Sequence, residues 1–445
     1  MLTPQTKSKS IRTLLFAQVS LIFMAQPVFA QTTMNDDNAP KSGFSDMYEK
    51  STTISDGETE DETINLEDDD SLTVAEGGTV SVSDNDAIKF RYPNTDLQIT
   101  NGGLIESLDD GGRAIDEAGD SDGNLNLVIN NLETGIIRSE GDAIRIDSDF
   151  TTGAVVINNA GLIHSTVGGQ GLDFNSIESA GTETATVQIN NLATGEIRAD
   201  GADGIRAGNG AVIDNAGLIF ADGEPGDSHD GIDFQDFSGT VVNRTGGTIS
   251  GARHGITSGG FIDVVNEAGA TIVGRNGAGI DADFDGRVVN YGTILGEYDG
   301  SEEGDGDGVD IDRFGTVDNY GIIRATGSSG ENPDGLSADS DGVVIFNGGR
   351  VTNYAGAEIT SAVNGVFVGS TPLLTQDGPT DMLVDNRGYI FGVNNAIVSL
   401  GTQNNTIINS GTIESEDAAI RLIGPNSTLI IREGSKIIGT VSATR

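Results

Sequence analysis

Residues 155–163 read Val155-Val156-Ile157-Asn158-Asn159-Ala160-Gly161-Leu162-Ile163, and this phrase decides the fold because it returns throughout the chain. Its pattern is a β-branched aliphatic, any residue, Asn, a turn containing Gly, and then Ile. The Asn column runs through Asn101, Asn131, Asn159, Asn191, Asn215, Asn243, Asn266, Asn290, Asn319, Asn353, Asn386 and Asn409. Two residues before them stand Ile99, Ile129, Ile157, Ile189, Ile213, Val241, Val264, Val288, Val317, Val351, Val384 and Ile407. Every one is β-branched, the residue type that fits a pleated strand. Successive copies are 23 to 34 residues apart, so the period is stretched by insertions.

The distance across the turn identifies the element. Seven copies place the next Ile four residues after Asn, as in Ile163 and Ile219, and five place it six after, as in Ile137 and Ile249. Both gaps are even, so both return the side chain to the same face of an extended chain. A helix would rotate the two classes about 200° apart. A further strand follows at a small residue plus an aliphatic, for example Ala143-Ile144, Gly204-Ile205, Gly255-Ile256, Gly308-Val309 and Gly335-Leu336. Two or three short strands cannot enclose a core alone, but stacked copies can. The chain therefore reads as an all-β solenoid, a parallel β-helix of about fourteen coils from residue 71 to 441. Asn at an inward corner suits a ladder in which each amide bonds the amide one coil away. Insertions rich in Gly, Asp, Ser and Glu, such as 221–229 and 297–306, read as loops along one side.

Composition agrees with a long, narrow interior. Of 445 residues 64 are Gly, and Cys and Trp are absent, so disulfides and thiolate chemistry are excluded. Lys and Arg number 24 against 68 Asp and Glu, a net charge of −44 that excludes phosphate recognition and hence nucleic acid as partner. The N-terminus is a separate object. Lys7, Lys9 and Arg12 precede an apolar run to Phe29, and Val28-Phe29-Ala30 supplies small residues before Gln31. Residues 1–30 read as a secretory signal peptide. Its removal takes three positive charges and no negative one, moving the net charge from −44 to −47. Residues 31–70 are polar and acidic and read as a disordered lead-in.

With a signal peptide ahead of Asn-x-Gly-x-Ile repeats, the chain resembles the passenger domains of bacterial autotransporters. The resemblance implies a right-handed parallel β-helix over residues 71–441, exported to the cell surface or beyond, that meets a host-surface protein or glycan as an adhesin does. It also implies a C-terminal outer-membrane barrel as tether. The chain stops at Arg445 without one, so residues 442–445 read as a truncated end; a chain with no barrel would be periplasmic. The alternative is a secreted β-helical polysaccharide lyase or glycoside hydrolase.

Candidate site residues stand where a repeat column departs from its neighbours. Arg253-His254-Gly255-Ile256 resembles the His-Gly segment of β-helical polygalacturonases, yet the column of His254 elsewhere holds Asp142, Gln170, Asp203 and Asp230. Pairing of His254 with Asp230 explains it structurally, and no catalytic residue is assigned. After the aliphatic of the last strand comes an alternating series, Asp116, Arg145, Asp173, Arg206 and Asp233, expected as an outward charge ladder that sets register. Alternation then fails at Asp281 and Asp310. Inward Ile280, Ala282 and Phe284 would turn Asp281, Asp283 and Asp285 outward, beside Asp310 and Asp312. Five carboxylates in one patch read either as a solvated acidic face or as a site for Ca²⁺, a hard cation with oxygen ligands. Tyr291, Tyr320 and Tyr354 each follow a column Asn in consecutive coils and should stack outward, either as a plain aromatic ladder or as a contact surface for a sugar or a protein.

Overall fold

A coil of this protein is three short parallel strands joined by one tight corner and two variable ones. The computed structural model describes residues 50–90, 95–117, 119, 123–224, 227–298, 306–327, 339–369, 381–400, 404–424 and 426–444. The signal peptide and residues 31–49 of the expected lead-in lie outside them. The first face is a sheet of fifteen strands, from Ser51–Ile54 through Gly239–Asn243 to Asn426–Ile431, each paired in parallel with the strand one coil on. The second face (for example Thr248–Gly251) and the third (Ile256–Ser258) form two further parallel stacks. They merge near the C-terminal end, where Thr412–Ile423 runs through the corner and pairs with both Tyr389–Gly392 and Asn395–Leu400. The result is a right-handed parallel β-helix.

Three aliphatic columns fill the interior. The Ile and Val residues two before each Asn, the Ile after the turn, and the third-face series Ile115, Ile144, Leu172 to Ile420 are all fully buried. Each such side chain contributes about 1.5–3 kcal/mol of burial. Inside the tight corner stands the Asn ladder, continuous from Asn101 to Asn409. Each Nδ2 donates to the Oδ1 of the next Asn at 2.8–2.9 Å, and at the end Asn409 donates to Ser435 Oγ at 2.6 Å. The second amide proton goes to main-chain oxygens, as from Asn159 to Glu196 at 3.1 Å. The corner has no room beside the amide. A Cβ at Gly135 would lie 2.3 Å from Asn131 Oδ1 and 2.4 Å from the Asn101 carbonyl.

Several expectations are corrected. Residues 51–66 form a coil ahead of the expected ones, so the described residues make fifteen coils rather than fourteen. Its inward Ile54, Ile64 and Leu66 are buried while Asp56, Glu58, Asp61 and Asp68 face solvent; dense outward charge concealed the inward triplet. The last strand, Lys436–Thr444, pairs as far as Thr444, so 442–444 belong to the final coil. The third-face strand after Asp310 is Val343–Ile345, in register with Val309–Ile311; Gly335 and Leu336 lie outside the described residues. Long connections occur at two corners rather than along one side, for they separate second from third face (Ala221 to Ile232) and third from first (Asp173 to Ala185).

Candidate functional site

The third face carries one column of mostly charged residues. Its outward column runs Lys89, Asp116, Arg145, Asp173, Arg206, Asp233, Thr257, Asp281 and Asp310, each a register partner of the next. The alternating part of the ladder therefore stands as expected in register. It is more enclosed than an outer strand face: Asp116 and Asp233 are buried and the intervening residues half-buried. Arg145 Nε meets Asp116 Oδ1 at 2.8 Å. Burial raises the Asp116 carboxyl, and Arg145 opposes it. Asp173 is pushed up to about 6 by burial and by the nearby Asp142.

Beside this ladder, the column of His254 has a definite structural task. Asp86 Oδ1 accepts the Arg113 N–H at 2.8 Å, Asp142 that of Gln170 at 2.9 Å, Asp203 that of Asp230 at 2.9 Å, and Asp230 that of His254 at 2.8 Å. His254 continues the series, its Nδ1 accepting from Ala278 N–H at 2.9 Å. Here the chain bends between second and third faces, and each side chain satisfies a main-chain donor one coil on. Asp230 and His254 do pair, through the His254 main chain. With Nδ1 an acceptor, the neutral ring carries its proton on Nε2, 3.5 Å from Asp281 Oδ2. Burial, with Arg253 nearby, lowers His254 to about 3, so it stays neutral and neither nitrogen offers a free lone pair.

The five carboxylates expected around calcium divide into different surroundings. Asp281 and Asp310 are register neighbours on the third face. The strand ends at Ala282, so alternation stops there: Phe284, expected inward, is exposed, and Asp283 is exposed beside it. Asp285 Oδ1 accepts the Phe314 N–H at 3.0 Å, a turn-capping role. Burial comes first in raising Asp281, Asp283 and Asp312; repulsion from Asp281 adds to the latter two, and Asp312 reaches about 6. The structure thus couples Asp281, Asp283 and Asp312 electrostatically. Among the described residues, the carboxylates with oxygens within 4.8 Å of one another are a different trio, Asp203, Asp230 and Asp233. Burial and its acidic neighbours hold Asp230 well above the usual carboxylate range. Sequence reading passed over this trio because Asp203 and Asp230 looked like ordinary members of a polar column. The available signal was Asp230-Gly231-Ile232-Asp233, which puts a column carboxylate and a ladder carboxylate in one coil. All three have partners: Asp203 holds Arg206 at 2.8 Å, Asp230 caps His254, and Asp233 accepts from Gln235 N–H at 2.6 Å.

The tyrosines stack outward as the repeat predicts. Ring centroids lie 4.6 Å apart for Tyr291 and Tyr320 and 3.8 Å for Tyr320 and Tyr354, each pair tilted by 12°. Arg387 extends the column, its guanidinium 5.1 Å from the Tyr354 ring centre. A hydrogen bond with Tyr354 pushes the Tyr320 hydroxyl up to about 12. Because the rings face one another, edges and hydroxyls are what the stack offers to a partner.

No family model, curated protein or solved structure matches the chain.

Proposed function

We propose that this chain is a non-enzymatic, exported β-helical passenger of the autotransporter kind, a scaffold presenting contact surfaces to a host protein or glycan. The observation that carries the reading is the employment of the carboxylates at the bend between second and third faces: Asp86, Asp142, Asp203 and Asp230 each spend an oxygen on the main chain of the next coil. A hydrolase needs its acid and base free to face substrate. The Tyr291–Tyr320–Tyr354 stack supplies a contact face, and its outward edges and hydroxyls suit a protein surface better than a stacked sugar ring. Two measurements test this. Protease shaving of intact expressing cells should release the repeat region, and reducing ends should not appear when the chain is incubated with a panel of acidic and neutral polysaccharides.

The second reading, a polysaccharide-degrading enzyme, draws on Asp203, Asp230 and Asp233 converging beside Arg206. Turnover abolished by Asp233→Asn would establish it and remove the first. Calcium remains a proposal at the patch of Asp281, Asp283, Asp285, Asp310 and Asp312. Thermal stabilisation by calcium that disappears in Asp281→Asn/Asp312→Asn supports it, and no shift with calcium sinks it. Loss in Asp203→Asn/Asp230→Asn instead would move the ion two coils away.

A further inference from the structure

The corner from third to first face is Gly208-Asn209-Gly210 in one coil, and further on it carries a half-buried phenylalanine at Phe237 and again at Phe346. In three consecutive coils between them it carries phenylalanine, and each ring stands in solvent: Phe261 is 44% exposed, Phe284 39% and Phe314 55%. Main-chain bonds tie the three turns together. Ile262 N–H donates to the Asp285 carbonyl, Gly286 N–H to that of Phe314 and Arg313 N–H to that of Phe284, each at 3.2 Å. Register places Phe261, Asp285 and Phe314 in one column and Phe284 one residue earlier, level with Gly260 and Arg313. The rings therefore zigzag along the axis while the coils rise by about 4.8 Å each. The core does not need them, since Ile262, Ala282 and Ile311 fill the inward positions of these coils. Single exposed apolar residues are ordinary, whereas a contiguous ridge marks an interaction site.

Carboxylates interleave the rings. Asp283 and Asp285 flank Phe284 in sequence, and Asp312 lies in the next coil close enough to repel Asp283. The chain's own Arg313 shows how the ridge holds a cation, its guanidinium 4.1 Å from the centre of the Phe284 ring. We propose that this ridge docks a basic, partly apolar peptide segment of a partner protein. Its Lys and Arg side chains lie over Phe261 and Phe314 and between the carboxylates, while its aliphatic side chains cover the ring edges. A neutral glycan would leave the carboxylates uncompensated, and a bare divalent cation would leave the rings in water. The surface is separate from the tyrosine stack, and the proposal stands whether or not the chain is a passenger.

The test uses the full chain and a fluorescein-labelled twelve-residue peptide alternating Lys or Arg with Leu or Val, followed by anisotropy. Phe284→Ser/Phe314→Ser should weaken binding about ten-fold or more with Tm unchanged, since both rings are exposed. Asp283→Asn/Asp312→Asn should weaken it comparably and flatten its salt dependence. Asp56→Asn/Asp61→Asn removes the same charge from the first coil and should change affinity less than about two-fold. Unchanged binding by the Phe variant overturns the proposal. So does an equal loss in the first-coil control, which would make the binding bulk electrostatics. Displacement of the peptide by a chitosan hexamer or by calcium, with the displacing ligand's own binding lost in the Phe variant, would give the ridge to that ligand and overturn a peptide partner.

Discussion

Two single-residue columns run through neighbouring coils of this molecule, and they are held in opposite ways. The Asn column is buried and identical from Asn101 to Asn409, every amide joined to the next. The third-face column is half-buried and charged, and its sign alternates only as far as Asp233. A neutral rung satisfies its neighbour whatever coil it occupies. A charged rung helps or harms according to what stands one coil away, which is why the acidic stretch at Asp281–Asp310 forms a site-like anomaly and no rung of the Asn ladder does.

The largest test of that contrast is Asn243→Ala. It strands a donor on Asn215 and an acceptor on Asn266, and should cost about 2–4 kcal/mol in denaturant unfolding. Asn101→Ala, at the ladder's end, breaks one Asn–Asn bond and should cost about half as much. Equal losses at the two positions would mean that the ladder is not what holds the corner. Next in size, Arg145→Met leaves the buried Asp116 without its 2.8 Å partner and should cost about 1–3 kcal/mol at neutral pH. That loss should shrink in acid as Asp116 takes up a proton, whereas the Asn243 loss should not change with pH.

The pH profile of the parent protein sharpens the comparison further. Asp173 and Asp312 lie near 6 in the folded chain, above the 3.8 of an ordinary Asp. A carboxyl raised in this sense is held protonated by folding, so stability falls as pH rises through about 6 and is recovered below it. Tm should therefore be higher at pH 5 than at 7.5, and Asp173→Asn/Asp312→Asn should flatten the rise. A profile falling steadily below pH 7 would contradict the burial assigned to both. The smallest effect is a gain: Thr257→Lys restores alternation between Asp233 and Asp281 and should stabilise by about 0.2–1 kcal/mol. No gain would show that the sign of neighbours is irrelevant there.

The columns were legible because they depend on parity alone. An even gap across the turn returns Ile163 or Ile249 inward regardless of what the loops do. The first coil was hidden because Ser51–Leu66 has no Asn phrase and its three inward residues sit among carboxylates. Asp334-Gly335-Leu336 and Asp341-Gly342-Val343 present the same pattern, and only pairing with Val309 distinguishes them. Phe284 was misdirected because alternation holds within a strand, and this strand ends two residues earlier. Asp203, Asp230 and Asp233 were missed for a deeper reason. Two of them are 27 residues apart across a loop of irregular length, and their meeting is a property of register between coils. The exposure of Phe261 and Phe314 belongs to the same class, set by which turn residue leaves the wall.

Every amide in the ladder donates toward the C-terminal coil. Reversing one would set two N–H groups against each other on one side and two oxygens on the other, so a lone reversal is opposed by both neighbours. Orientation chosen in any coil is thereby imposed on all twelve. The corner of this solenoid stores a single direction, and the chain can be read from one end to the other by following its amides alone.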